Sequence, residues 1–289
     1  ALLPSSPFIA PFLTLSLERH LALLHRLRSV PSIRSHLRLL ILTLSCRASS
    51  LFGHLLRDLP PSLLNDLPLP PPAASVPPHP HAFITPSPFP PSFAHTLRHH
   101  MLCSLAGLLS LPPAAFYSAA PASLTLFQAL LPAAQGGVSL PDPPLLATPA
   151  FLAGSADALP ILLRDDALLP VLSDPSSWPS SPSAHLSSLH ASFSAISPLL
   201  SHAPLPSSSV PSLLRDPYTG RPSIALLHAI SGRSSQRLFT RSLIPLFVAA
   251  ALQDATPLAA ARLRHSMFPP SHLLFVAYYL PPALQLTDP

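Results

Sequence analysis

Lysine is absent from this chain of 289 residues, and all sixteen of its basic side chains are arginine. Glutamate and asparagine occur once each, at Glu18 and Asn65, whereas proline occurs 43 times and leucine fills about a fifth of the positions. The scarce residue types need adenine at the second codon position, and the abundant types take a pyrimidine there. This bias indicates a very cytosine-rich genome of organellar type.

Cysteine and charge are also scarce. Cys46 and Cys103 are too few for a disulfide framework or a thiolate metal site. Charged residues make up 9% of the chain, against about 25% in ordinary soluble domains, and the mean hydropathy is +0.43. The length allows two domains, or one domain with a large insertion. These values favour a chain that lives inside a bilayer or a large assembly.

Residues 101–141 contain no charged side chain and are therefore a candidate membrane span. The segment is nominally long enough to cross a bilayer. Prolines interrupt it repeatedly, and each interior proline would leave backbone groups unsatisfied in lipid. The sequence therefore argues against a span here.

Fourteen of the sixteen arginines lie in two blocks at the ends of the chain. Residues 1–60 carry a formal charge of plus five, residues 61–214 carry minus four, and residues 215–289 carry plus four. This distribution favours a polyanion that is held at both ends of the protein.

The first sixty residues predict the order helix, helix, strand, helix. Three leucines at helical spacing predict an amphipathic helix over residues 13–29, with polar side chains largely on the other faces. A second helix over 31–38, a buried strand over 39–46 and a third helix over 49–59 follow. The leucines are Leu17, Leu21 and Leu24, and the polar residues are Arg19, His20 and Arg26.

Proline dominates the middle of the chain, where residues 60–93 are expected to be extended or polyproline-like. Short helices are predicted farther on, and Trp178 is interpreted as a packing anchor. We interpret this block as an insertion that wraps over neighbouring molecules. The predicted helices cover residues 94–111, 122–131, 156–169 and 184–202.

The last eighty residues predict a mixture of strands and helices. A strand over 224–230 precedes arginines that recur every four residues, and a helix over 255–265 carries two more. The chain closes with an aromatic strand over 272–282. The recurring arginines are Arg233, Arg237 and Arg241, and the helix carries Arg262 and Arg264.

Four short motifs follow one another in this region: ISGR at 230–233, IPL at 244–246, AAAR at 259–262 and FVAYYLP at 275–281. Their order and rough spacing resemble the carboxy-terminal domain of the third protein of the small ribosomal subunit, in a divergent mitochondrial form. Residues 30–49 are similar to a helix and strand of that family's KH-like amino-terminal domain. Residues 1–60 lack the G-x-x-G loop of bacterial members, and the Pro-rich block has no counterpart.

The resemblance implies an α+β fold built from two small α/β layers. A KH-like remnant would occupy residues 1–60 and a carboxy-terminal ribosomal-protein-like domain residues 211–289, with a largely irregular Pro-rich insertion over 61–210. The implied function is that of a structural constituent of the mitochondrial small ribosomal subunit, in the matrix. Its implied partners are ribosomal RNA and neighbouring ribosomal proteins.

Arginine suits that role because its planar guanidinium binds phosphates in a bidentate manner and stacks on bases. The predicted RNA-binding residues are Arg19, Arg26, Arg28, Arg34, Arg38 and Arg47 in the first block, and Arg233, Arg237, Arg241, Arg262 and Arg264 in the second.

Signals for catalysis or for cofactors are weak. His95, His99 and His100 have helical metal-ligand spacing, but no acidic residue or cysteine completes a convincing set nearby. The chain contains no G-x-S-x-G elbow, phosphate-binding loop or dinucleotide fingerprint. We therefore expect no enzyme, no cofactor, no metal and no small-molecule substrate. An organelle-encoded membrane subunit of a respiratory-chain complex is the alternative function.

Overall fold

The structure is a computed structural model of the chain. It describes residues 8–29, 50–69, 91–109, 140–162, 175–201 and 255–266, together with residues 126, 129, 138, 164, 248–249 and 252–253.

Eight helical segments make up nearly all of this described part. The α-helices are α1 (Ile9–Ser29), α2 (Ser50–Asp58), α3 (Pro61–Asn65), α4 (Phe93–Leu108), α5 (Pro143–Leu162), α6 (Ala184–Ser201) and α7 (Pro257–Ser266), and a 3₁₀ helix covers Pro175–Ser180. An isolated antiparallel bridge joins Pro68 to Ser92, and the Leu69 amide donates a hydrogen bond of 2.7 Å to the Pro91 carbonyl.

The predicted α+β fold is wrong for the described residues, which contain helices and no β-sheet. The middle of the chain is also more helical than predicted, because α3 lies within residues 60–93, which were expected to be extended, and α5 begins before the helix predicted over 156–169. The strands predicted over 39–46, 224–230 and 272–282 lie outside the described residues. The three predicted domain segments stay a prediction.

Several predicted helices are confirmed with small shifts of their ends. The helix expected over 13–29 is α1, which begins four residues earlier, and its three predicted core leucines are buried. The helices expected over 49–59, 94–111, 184–202 and 255–265 correspond to α2, α4, α6 and α7. For α1, helical spacing of apolar residues was a sufficient signal.

Helix α5 begins thirteen residues before the helix predicted over 156–169. The prediction began too late because the prolines of this segment argue against a helix. Pro143 and Pro144 open the helix, where a missing N–H costs nothing. Pro149 and Pro160 lie farther inside, and each removes one backbone hydrogen bond. The helix persists because small and aromatic side chains along it are fully buried: Ala147, Ala150, Phe151, Leu152, Ala153 and Ala156.

The chain separates into two compact units. The first unit consists of residues 1–11, 50–67 and 143–246, and the second of residues 12–49, 68–142 and 247–289. Helices α2, α3, α5 and α6 thus belong to the first unit. Helix α4, helix α7 and α1 from Phe12 onward belong to the second.

In the first unit, α5 packs against α2, α3 and α6. The approach of α5 to α2 is very close at Gly154, where an added Cβ would lie 2.5 Å from the carbonyl oxygen of Arg57. The 3₁₀ helix packs on α6, and its Trp178 is completely buried. The prediction that Trp178 is a packing anchor is confirmed.

In the second unit, α1 buries one face, whereas ten of the sixteen residues of α4 are buried. Helix α4 begins after Ser92, whose hydroxyl accepts a hydrogen bond of 3.4 Å from the His95 amide and so caps the helix. His20 of α1 is buried, although its polarity predicted another face, and its Nδ1 donates a hydrogen bond of 2.8 Å to the Ser16 carbonyl. The carbonyl one helical turn earlier thus accepts a hydrogen bond from one ring nitrogen of His20 on the buried side of α1.

Candidate nucleic-acid interface

Charge divides unequally between the two units. The first unit contains seven arginines and seven aspartates and is formally neutral. The second unit contains nine arginines against four acidic residues, a formal charge of plus five, which is the net charge of the whole chain. An excess of this kind attracts polyanions and is screened by salt.

Arg57, which the predicted RNA-binding set leaves out, pairs within the first unit. Its Nη2 forms an ion pair with Oδ2 of Asp157, which joins α2 to α5 beside the close approach at Gly154. The two side chains are 28% and 29% exposed, so water still screens the pair and its contribution to stability is about 1 kcal/mol or less.

Arg98 in the second unit has a more buried partner. Its Nε lies 3.7 Å from Oδ1 of Asp142, and the two side chains are only 14% and 9% exposed. Arg98 is also outside the predicted RNA-binding set. In both ion pairs the aspartate belongs to the acidic middle segment, residues 61–214, and lies far from its arginine in the sequence.

The predicted arginines that the structure describes with their side chains are exposed. Arg19 and Arg26 lie on α1, seven residues apart and hence on the same side of the helix, and Arg264 lies on α7. Arg28 and Arg262 fall within α1 and α7, but their side chains are not described. Arg34, Arg38, Arg47, Arg233, Arg237 and Arg241 lie outside the described residues, and their roles stay predictions.

No protein-family model, curated protein or solved structure matches this chain. The resemblance to the ribosomal family therefore rests on the four ordered motifs and on the similarity of residues 30–49.

A serine–histidine pair in the first unit was not foreseen from the sequence. Ser155 Oγ lies 3.4 Å from His185 Nε2, and the His185 ring meets the ring of Phe151 edge-on at a centroid distance of 5.0 Å. Partial burial of the imidazole lowers the pKa of His185. Ser155 is almost fully buried in the middle of α5, so a substrate could not reach its hydroxyl. The pair is suited to joining α5 to α6.

A second polar pair lies along α4. Cys103 Sγ is 3.6 Å from His99 Nε2, one turn away. Burial lowers the pKa of His99, which keeps the ring neutral and removes the cationic neighbour that a reactive thiolate needs. Among the described residues no three histidine, cysteine or acidic side chains are grouped closely enough to hold a metal ion.

Across the described ranges, no helix has the length and apolar character needed to cross a membrane.

Proposed function

We propose that this chain is a structural, RNA-binding protein of the mitochondrial small ribosomal subunit. The observation that supports the proposal most is the concentration of the whole net positive charge in the second unit. Neutralisation of phosphates by arginine supplies much of the affinity of proteins for RNA. A unit with nine arginines and four acidic residues has charge left over for that purpose.

The sorting of individual arginines supports the same proposal. Among the described arginines, Arg57 and Arg98 form ion pairs with aspartate, and both are outside the predicted set. Arg264, a member of the set, is exposed on α7, the helix that contains the AAAR motif. An exposed guanidinium on a short helix can bind phosphate oxygens in a bidentate manner without first breaking an internal pair.

The codon bias and the ordered motifs support the mitochondrial and ribosomal parts of the proposal. A low share of charged residues together with a high mean hydropathy suits a protein covered by RNA and by neighbouring proteins. No catalytic step is needed, because the function consists of holding RNA in place.

The proposal is tested by the salt dependence of binding to small-subunit ribosomal RNA. The double variant Arg262→Gln with Arg264→Gln is expected to bind more weakly, with a slope of log K against log salt that is shallower by about 1 to 2. Each lost phosphate contact removes about 0.7 to 0.9 from that slope. The matched control is Arg57→Gln, which removes an arginine already paired with Asp157 and should leave the slope unchanged.

Equal slopes for the wild-type chain and both variants would contradict RNA binding through α7. Fractionation of mitochondria provides an independent check, since the proposal requires co-sedimentation with small-subunit RNA that is lost in high salt. Recovery only in detergent, together with an inner-membrane complex, would overturn the proposed function.

A further inference from the structure

Helix α1 has a second apolar stripe that its own unit does not bury. Phe12, Leu15 and Leu23 are 52%, 49% and 48% exposed. Arg19 and Arg26, both exposed, continue the same three- and four-residue spacing. We call these five residues the outer face of α1.

The outer face is not needed to hold α1 on its unit. The opposite side of the helix already buries Leu13, Leu17, Leu21 and Leu24, each less than a tenth exposed. Three further large apolar side chains in water lower solubility without adding to the core. From Phe12 to Arg26 the outer face is about 21 Å long, at 1.5 Å per residue, which matches four turns of a partner helix.

The order of side chains along the outer face restricts the occupant. Arg19 lies between Leu15 and Leu23, in the middle of the apolar stripe rather than at its edge. Burial of this stripe against another surface would remove water from the guanidinium, so the occupant must supply an anion at that point. A second copy of the same face would instead bring arginines together, because the face contains no acidic residue.

RNA and lipid fit this face less well than protein does. RNA offers phosphates to Arg19 and Arg26 and a base to stack on Phe12, but it gives Leu15 and Leu23 no apolar partner. A helix that lies on an anionic membrane carries its basic residues on the polar side and not within the apolar stripe. A protein helix with carboxylates set between leucines satisfies both kinds of side chain at once.

We propose that the outer face of α1 binds an acidic amphipathic helix of a partner protein, with a carboxylate opposite Arg19 and apolar side chains against Phe12, Leu15 and Leu23. The inference goes beyond the proposed RNA-binding function and does not depend on it, since it concerns a different helix from α7. If both hold, Arg19 belongs to a protein contact and leaves the RNA-binding set.

The test uses the full-length chain and two synthetic helical peptides of about 20 residues, long enough to cover four turns. Both peptides carry leucine at helical spacing; one has glutamate and the other glutamine at the positions between. Binding is followed by fluorescence anisotropy. We expect the glutamate peptide to bind at least about tenfold more tightly than the glutamine peptide.

Variants of the outer face should weaken binding of the glutamate peptide. Leu15→Ser with Leu23→Ser is expected to reduce affinity by about tenfold or more, and Arg19→Gln should abolish the preference for glutamate over glutamine. The matched controls are Leu258→Ser and Arg264→Gln, an exposed leucine and an exposed arginine on α7. Both controls should bind as the wild type does, and unchanged thermal unfolding of every variant shows that the fold is intact.

Equal binding of the two peptides would overturn the inference. So would α1 variants that leave peptide binding unchanged but weaken binding to small-subunit RNA or to vesicles containing anionic phospholipid, because the occupant would then be a nucleic acid or a membrane. Failure of the α7 variants to affect RNA, by contrast, contradicts the proposed function and leaves the outer face untouched.

Discussion

The two units of this protein use the same restricted set of residues but differ in net charge. The first is formally neutral, with Arg57 paired across the junction of α2 and α5. The second carries the entire net charge, and α1 and α7 expose arginines to solvent. Codon bias explains why the basic residues are arginine. It does not explain why the surplus is confined to one unit.

The ion pairs of the two units provide the strongest test of this difference. Arg98→Ala should lower the free energy of unfolding by about 3 kcal/mol, because it leaves the Asp142 carboxylate in a nearly buried site. Arg57→Ala should cost about 1 kcal/mol or less, because water screens Asp157. Urea unfolding measures both. Equal losses would show that burial does not distinguish the two pairs.

Two glycines give the next largest contrast, this time within the first unit. Gly154→Ala should destabilise the protein by about 1 to 3 kcal/mol, since the new Cβ would press against the backbone of Arg57 and separate α2 from α5. Gly53→Ala, on α2 with no atom within 4 Å of its added Cβ, should stabilise it by up to about 1 kcal/mol. Thermal unfolding measures both variants, and a Gly154→Ala protein as stable as the wild type would contradict the close approach at Gly154.

The smallest expected effect concerns pH and involves one histidine in each unit. Burial lowers the pKa of His185 in the first unit and of His99 in the second. As pH falls through about 6.5, the unfolded chain takes up protons before the folded chain does. The stability present above that pH is then lost as pH falls through the folded-state pKa values.

Urea midpoints should therefore decrease between about pH 7.5 and 5.5, a window above the titration of ordinary carboxylates. His185→Gln and His99→Gln should each flatten this decrease, and the double variant should flatten it further. A pH profile that is the same in the wild type and the variants would show that neither ring is the source.

Local patterns allowed several helices to be predicted from the sequence, and the failures have physical causes. The leucines of α1 identified its core face, yet Phe12, Leu15 and Leu23 are apolar too, and one sequence does not say which stripe a neighbour will cover. The prolines of α5 led to a prediction that placed its beginning too late. The helix forms nevertheless, because tertiary packing outweighs the hydrogen bonds lost at Pro149 and Pro160.

The arginine content of the candidate interface could be predicted from the sequence. The positions of its side chains in space could not. Arg57 and Arg98, which the predicted set leaves out, form ion pairs whose aspartate partners were not foreseen from the sequence. Asp157 lies 100 residues beyond Arg57, and no local spacing connects the two. The predicted arginines outside the described residues stay predictions.

The close packing of α2 on α5 at Gly154 also determines when α2 can fold during synthesis. Helix α2 has nine residues, fewer than the roughly 12 to 15 that make an isolated helix even marginally stable in water. Arg57 and Asp157 are 100 residues apart, and a ribosome that adds about 5 to 20 residues per second needs on the order of 5 to 20 s to travel from one to the other. During synthesis α2 must therefore wait, with Leu55 and Leu56 exposed to water, until α5 emerges to cover it.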